Sequence, residues 1–328
     1  MKNWLYISAV MIAAGLFITA NANAEGYKLP PQEISDIVLR APAPSVSVSP
    51  DGKTLLLLER ESLPPVSELA KPMERLAGQR LDAATNDNFN PRNFVGLTLQ
   101  TIDGGNTRKV ALPPNADIAD QNWSPDGRYV VFTNTRDDGM GVWVLDTRTA
   151  EAREVMSQGI NPIFHEPRWL PDGRLLILAI PSDRGDKPIP PRTPTGPAIQ
   201  NAEGGQDAQT RTYQDLLKNP YDEALYQWLG QSQPIIMQAD GSEKTVVGKP
   251  RLYVDASPSP KGDYLLMTWM NEPFSYQVPW YRFPQTTAIT TIDGQPVKVI
   301  TEQPLSAIIS GCSLRCSCWS SLNSDRKK

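Results

Sequence analysis

Along most of this chain, short apolar runs alternate with tight polar turns. The hydrophobic positions follow the spacing of strands, not the 3.6-residue spacing of helices. Residues 122–134, NWSPDGRYVVFTN, show the pattern. Near copies open at Ser49 (SPDGKTLLLLE), Leu170 (LPDGRLLILAI) and Ser259 (SPKGDYLLMTW). Proline presets φ at the first central turn position, aspartate bonds its own backbone, and glycine takes a conformation closed to residues with a Cβ. The run after each turn is rich in Val, Leu, Tyr and Phe, which predicts a buried strand. Each phrase is therefore strand, turn, strand.

A second hairpin follows each first one, at 96–112, 142–156, 234–248 and 287–301. Three of the four turn on an Asp-Gly pair (Asp103-Gly104, Asp240-Gly241, Asp293-Gly294), a strong short-range hairpin signal; the remaining one turns at 146–151. Two hairpins make four antiparallel strands, the blade of a β-propeller. The expected class is all-β: about four blades of four antiparallel strands, an incomplete arc of a larger propeller, with short helical insertions. A generic β-sandwich with the same turns is the alternative, disfavoured because a paired-hairpin unit recurs. An open arc leaves the outer faces of its first and last blades apolar and without neighbours, which predicts self-association through those faces.

The chain has 328 residues, 40% apolar content and a net charge of −4, enough for one large all-β domain. Mild acidity without a basic stripe gives no reason to invoke nucleic acid. Residues 1–24 read as a signal peptide: Lys2, an apolar run at 4–20 and the small-x-small site Ala22-Asn23-Ala24. Cleavage there would leave Glu25 first, with no membrane attachment and a periplasmic or secreted address; a retained anchor is the alternative. The three cysteines, Cys312, Cys316 and Cys318, all fall near the end, so no disulfide framework is expected in the body.

The partial propeller is expected over 25–305, with insertions at about 61–93 and 182–233. The first holds SELAKPMERLAGQRL, read as a short helical turn or two limited by Pro72. The second opens with the polyproline-like PIPPRTPTGP at 188–197; residues 210–230 follow, read as two short helices broken at Pro220. Residues 306–328 change character abruptly and are expected to be a disordered, atypical tail, read as the product of a frameshift or premature end.

Three stretches then carry a resemblance: ERLAGQRL at 74–81, GPAIQ at 196–200 with RTYQDLLKNPYDEALY at 211–226, and EPFSYQVPWYRFP at 272–284. In this order the chain resembles the prolyl oligopeptidase family of serine peptidases, in particular its glutamyl-endopeptidase-like and acylaminoacyl-peptidase-like branch, over about residues 27–306. The resemblance implies an N-terminal propeller that filters peptide substrates for a C-terminal α/β-hydrolase domain with a Ser-Asp-His triad. The chain departs from that pattern: it contains no Gly-x-Ser-x-Gly elbow, and its one histidine, His165, precedes any plausible nucleophile. His165 is read as a core or rim residue inside a strand. Asp51, Asp126 and Asp172 are turn residues explained by backbone bonding. No catalytic, cofactor-binding or metal-binding residues are assigned, and no cofactor is expected. The leading expectation is an inactive substrate-gating propeller portion whose intact enzyme hydrolyses oligopeptides. The alternatives are a stand-alone propeller that binds a protein or ligand and, more weakly, an enzyme of unrecognised mechanism.

Overall fold

The computed structural model describes residues 30–89, 93–137, 139–192 and 212–306. The signal-peptide and cleavage-site readings, the GPAIQ stretch and the tail beyond 306 lie outside the described residues. The chain divides into two compact units, 1–41 and 42–328. The first contributes the helix Gln32–Val38. Among the described residues no helix is long and apolar enough to cross a membrane.

The second unit is built from strands. In chain order they are β1 (Ser45–Val48), β2 (Thr54–Glu59), β3 (Glu74–Leu76), β4 (Gln79–Asp82), β5 (Asp87–Asn88), β6 (Gly96–Thr101), β7 (Thr107–Lys109), β8 (Ile118–Trp123), β9 (Tyr129–Arg136) and β10 (Gly139–Asp146). They continue as β11 (Glu151–Met156), β12 (Arg168–Trp169), β13 (Leu175–Ala179), β14 (Gln233–Met237), β15 (Thr245–Val246), β16 (Leu252–Pro258), β17 (Tyr264–Met270), β18 (Gln285–Thr291) and β19 (Pro296–Gln303). Four antiparallel sheets result: β1-β2-β6-β7 (blade I), β8-β9-β10-β11 (blade II), β12-β13-β14-β15 (blade III) and β16-β17-β18-β19 (blade IV). A fifth, small sheet, β3-β4-β5, is inserted in blade I.

The repeated phrase folds by one local circuit. In blade I the Ser49 hydroxyl donates to the Asp51 carboxylate at 2.6 Å and accepts the Thr54 N–H at 2.9 Å, while Asp51 accepts the Lys53 N–H at 3.1 Å. Blade II repeats it with Ser124, Asp126, Tyr129 and Arg128 at 2.6, 2.9 and 3.1 Å. These bonds hold the Asp51 and Asp126 carboxyls below the usual carboxylate range, the serine hydroxyl first. Blade III has Leu170 in place of serine, and Asp172 instead grips the Arg174 side chain at 2.7 and 2.8 Å.

The middle strands of blades II and III are apolar on both faces, because each of those sheets lies between two others. On β9, Val130 and Phe132 pack with Leu56, Leu58, Leu97 and Leu99 of blade I. Val131, pointing the other way, packs with Trp169, Leu175 and Ile177 of blade III. On β13, Leu176 and Leu178 in turn meet Tyr253, Leu265 and Met267 of blade IV. The first strands repeat the order: Trp123 donates to Ser47 (2.9 Å), Trp169 to the Asn122 carbonyl (2.9 Å), and Arg168 to Ser257 (2.5 Å). A sandwich has two sheets and one core. Four sheets joined face to face by three successive cores are sectors of a wheel, so the chain is an arc of a β-propeller.

The arc's outer faces are open, as expected. On blade I, Val46 and Val48 are 56% and 51% exposed; on blade IV, Tyr264 and Leu266 are 46% and 40% exposed. The outermost strand of blade IV, β19, is exposed along its whole length.

Two local expectations are corrected. The stretch 74–82 is not helical. After a single turn at Val66–Leu69 the chain makes the hairpin β3–β4, with Ala77 at φ 51° and Gly78 at φ 83°. Two consecutive positive φ values are the signature of a two-residue hairpin turn. Nor does Pro220 break a helix. Residues 212–219 are non-helical, and Pro220 begins the single helix Pro220–Gly230. The Asn219 side chain caps it by accepting the Asp222 N–H at 2.9 Å. Proline at the first helical position loses no hydrogen bond and has a suitable φ.

Candidate functional site

In an antiparallel four-stranded blade, the connection between second and third strands always leaves from the same end. Blades I, III and IV all lengthen it: residues 60–95, 180–232 and 271–284. The described parts of these segments meet in one additional layer. Its core holds Leu76, Ala77 and Leu81 from the first, Leu217, Leu225, Tyr226 and Leu229 from the second, and Val278 and Phe283 from the third.

Side chains lock the layer together. Tyr226, fully buried, donates to Gln79 Oε1 at 2.9 Å and meets the rings of Phe164, Phe274 and Phe283 edge-on at 6.1–6.3 Å. Gly78 N donates to the Asp215 carbonyl (2.8 Å) and Trp280 N to the Ala77 carbonyl (2.9 Å). A Cβ on Gly78 would lie 2.5 Å from that of Pro279, so only glycine lets the segments approach. The carbonyls at the helix end find side-chain donors. Asn86 and Asn161 donate to Leu229 O at 3.1 and 2.8 Å, and Asn161 also to Gln231 O at 2.9 Å. Arg184 reaches Trp228 O at 3.3 Å and lies over the Trp228 ring at 3.7 Å.

Beside this layer, at the inner strands of blades II–IV, is a cavity of about 360 Å³. Asn88 of β5 lines it, with Asp120, Ile163, His165, Glu166, Arg168 and Asp255 among the other walls. Asn88 donates to the Ile163 carbonyl at 2.8 Å, tying the inserted sheet to the wall. Asp120 sits in a bulge of β8 at φ 54°. A second, larger groove of about 850 Å³ runs beside the insertion of blade I, walled by Pro64, Pro65, Pro113, Pro114, Lys71 and Asp117 among others.

The two sides of the inner cavity differ electrically. Asp255 is well compensated. His165 Nε2 lies 3.0 Å and Arg168 Nη1 3.5 Å away, and the Ser257 hydroxyl donates at 3.0 Å. Burial pushes the Asp255 carboxyl up, but these neighbours outweigh it and hold it below the usual range. Asp120 has only the Thr133 hydroxyl at 3.2 Å. Burial raises it to about 6, and the nearby Glu166 adds to the rise. Asp87, on the adjoining strand of the inserted sheet, is raised to about 7 by burial, then by Asp120, Asp117 and Asp82.

This arrangement has no nucleophile–base pair. His165 is not in a strand. It lies in the segment leading into β12, buried, with Nδ1 2.5 Å from the Glu166 carbonyl and Nε2 facing Asp255. The Ser257 hydroxyl bonds Asp255 rather than His165, so no ring nitrogen is placed to take its proton. Among the described residues no group of three or more His, Cys, Asp or Glu is placed to hold a metal ion. Asp51, Asp126 and Asp172 are in the blade turns, as their motifs imply.

Sequence reasoning passed over Asp87, Asp120, Glu166 and Asp255, yet three of them carry a signal. Asp120, Glu166 and Asp255 each stand four residues before the opening residue of a repeated turn phrase (Ser124, Leu170, Ser259). The corresponding position in the first repeat is Ser45. Radial repetition brings equivalent positions together, so an offset shared by several blades is a prediction of convergence.

An arc of stacked four-stranded blades with an inserted layer beside its inner cavity is a β-propeller module. No family model matches the chain. A probable chloroplastic glutamyl endopeptidase of Oryza sativa subsp. japonica is 37% identical over 295 residues, covering 86% of this chain and 31% of that protein. One from Arabidopsis thaliana is 37% identical over 294 residues, covering 86% and 30%. A solved prolyl endopeptidase structure covers 85% of this chain and 33% of its own, at 13% identity and a TM-score of 0.48. The chain belongs to the prolyl oligopeptidase family, of which it carries a propeller portion, and spans about a third of the length of the relatives it matches.

Proposed function

We propose that this chain is the substrate-gating propeller of a secreted serine peptidase that hydrolyses peptide bonds in oligopeptides. Hydrolysis itself belongs to an α/β-hydrolase domain outside these 328 residues. The observation that carries this reading is the convergence of family-specific stretches at one end of the arc. ERLAGQRL, the described part of RTYQDLLKNPYDEALY, and EPFSYQVPWYRFP build a single layer against the inner cavity. Propeller blades need no such layer to be stable, whereas a filter in front of a chamber needs a structured wall. Among the described residues the cavity is rich in carboxylate, with Arg168 as the one lining arginine or lysine. A periplasmic or extracellular address rests on the 1–24 pattern and is part of the proposal.

The test is direct. The purified chain, incubated with chromogenic peptide esters and a serine-directed phosphonate, should show background turnover and no adduct. Phosphonate-sensitive turnover by this chain would overturn the assignment. The binding-module reading expects instead that the chain captures a partner with no associated peptidase. N-terminal sequencing of exported protein should read Glu25 first; an intact Met1 would refute export by cleavage.

A further inference from the structure

Three seams join the four blades, and they reuse the same contacts. The residue before the turn phrase reaches back: Trp123 of blade II donates to Ser47 of blade I at 2.9 Å, and Trp169 of blade III to the Asn122 carbonyl of blade II at 2.9 Å. The Tyr129 ring of blade II stacks on Trp169 with centroids 6.1 Å apart. The turns follow the same order. A Cβ on Gly127 of blade II would lie 3.6 Å from Pro50 of blade I, and one on Gly262 of blade IV 3.4 Å from Pro171 of blade III. Each blade therefore has a back face, which meets the blade before it, and a different front face, which meets the blade after it.

Strand register makes the open face of blade I a back face and that of blade IV a front face. Val48 holds the place of Trp123 and Trp169, one residue before its turn phrase, and pairs with Leu55; Val46 pairs with Leu57. These four apolar residues share the open side of blade I, while Leu56 and Leu58 point into the core with blade II. Among the described residues nothing lies within 4 Å of the Cβ position of the turn glycine, Gly52. On blade IV, Leu265 and Met267 pack toward blade III, so Tyr264 and Leu266 point outward, beside Ile289 on β18. Tyr264 holds the place of Tyr129 and Leu266 that of Val131, the blade II residues that pack with Trp169. The two open faces are thus the two halves of the seam that the molecule already uses.

We propose that two copies of this chain close into one wheel of eight blades, blade IV of each copy seated on blade I of the other. Each new contact continues the seam between successive blades: Tyr264 and Leu266 fill the roles of Tyr129 and Val131, and Val48 that of Trp169. One two-fold axis exchanges the two seams, so a second copy covers both open faces of the first at once and leaves no face for a third. Eight blades are within the range of propeller wheels. Like-on-like pairing of two blade I faces would match no seam in the molecule and would leave both blade IV faces bare.

The proposal goes beyond the peptidase reading and does not depend on it. Sedimentation equilibrium of the purified chain should give the mass of two copies, with no larger species as concentration rises. Val48→Lys and Leu266→Lys would each bury an unpaired charge in both seams and should each weaken pairing about a hundredfold or more. Both side chains are exposed in the single copy, so the variants should keep the native circular dichroism. Mixing the two variants should restore a pair, because one seam then joins an unaltered blade IV to an unaltered blade I. Like-on-like pairing predicts instead that one variant alone pairs as tightly as the native chain and that mixing adds nothing. That result would overturn the proposal. So would open-ended polymers, or a monomeric native chain, the outcome expected if these faces accept only further blades of a longer chain. The mass of the native chain decides the matter even if a variant fails to fold.

Discussion

Tyr226 is the residue through which the additional layer should stand or fall. It comes from the second insertion, its hydroxyl reaches Gln79 of the first, and its ring packs on Phe274 and Phe283 of the third. Two substitutions separate hydroxyl from ring. Tyr226→Phe removes the donor to Gln79 Oε1 and leaves a buried acceptor; such a loss costs about 1–2 kcal/mol. Tyr226→Ala also removes a fully buried ring and its three edge-on contacts; large aromatic truncations in cores cost about 3–5 kcal/mol, with each lost ring pair adding to the burial term. Urea unfolding followed by tryptophan fluorescence measures both, because Trp228 and Trp280 lie in this layer while Trp123, Trp143 and Trp169 report on the blades. Tyr226→Ala should bring the Trp228/Trp280 signal to an earlier midpoint than the blade signal. Tyr226→Phe should shift it by a third or less of that amount. A loss below about 1 kcal/mol for Tyr226→Ala would show that the three insertions do not share a core.

Three further outcomes follow from the packing. Gly241→Ala should destabilise by about 1–3 kcal/mol in a thermal melt, because Gly241 has φ 85° and an added Cβ would press into the Val155 carbonyl of the neighbouring blade. Val48→Lys combined with Leu266→Lys should reduce concentration-dependent association in sedimentation, since both residues lie on open blade faces; a native chain already monomeric at high concentration would contradict this. Asp87→Asn should raise stability at pH 8 and leave it nearly unchanged at pH 4. The native carboxyl titrates near 7 when folded and near 3.8 when unfolded. Its neutral form therefore contributes fully below pH 3.8, and that stability is lost as pH rises through 7, by up to about 4 kcal/mol. Equal effects at both pH values would sink it.

The blades were legible because their grammar is local. A Pro-Asp-Gly or Asp-Gly turn fixes a hairpin within a dozen residues, and the apolar runs on either side need no distant partner to be recognised. The insertions were less legible for the opposite reason. Residues 74–82 contain Leu, Ala, Glu, Gln and Arg, good helix formers, yet fold as a hairpin. Ala77 accepts φ 51° there because Gly78 beside it can approach Pro279, and Trp280 N ties the turn down. Tertiary contacts from residues two hundred positions away overrode local propensity. The helix at Pro220–Gly230 was placed correctly in type but not in start, since Asn219 and Pro220 together are a helix beginning rather than a break.

The cavity residues show how a repeat can carry a site that no motif search finds. Each of Asp120, Glu166 and Asp255 is unremarked in its own surroundings, and among the described residues only Asp255 has an arginine and an imidazole beside it. Asp120 and Asp255 are half-buried and Glu166 is exposed, yet all three face one cavity, because radial repetition carries a shared offset in three of four blades to one place. The fourth position, Ser45 of blade I, does not line this cavity. The additional layer supplies the complementary half. Three connections of unrelated length and composition leave the same end of their blades, and one of them places Asn88 in the wall of that cavity. The layer itself meets the blades through an apolar core, in which Leu76, Ala77 and Leu81 share a buried cluster with Ile163, Leu252 and Met270, and the carboxylate-bearing cavity opens beside that core.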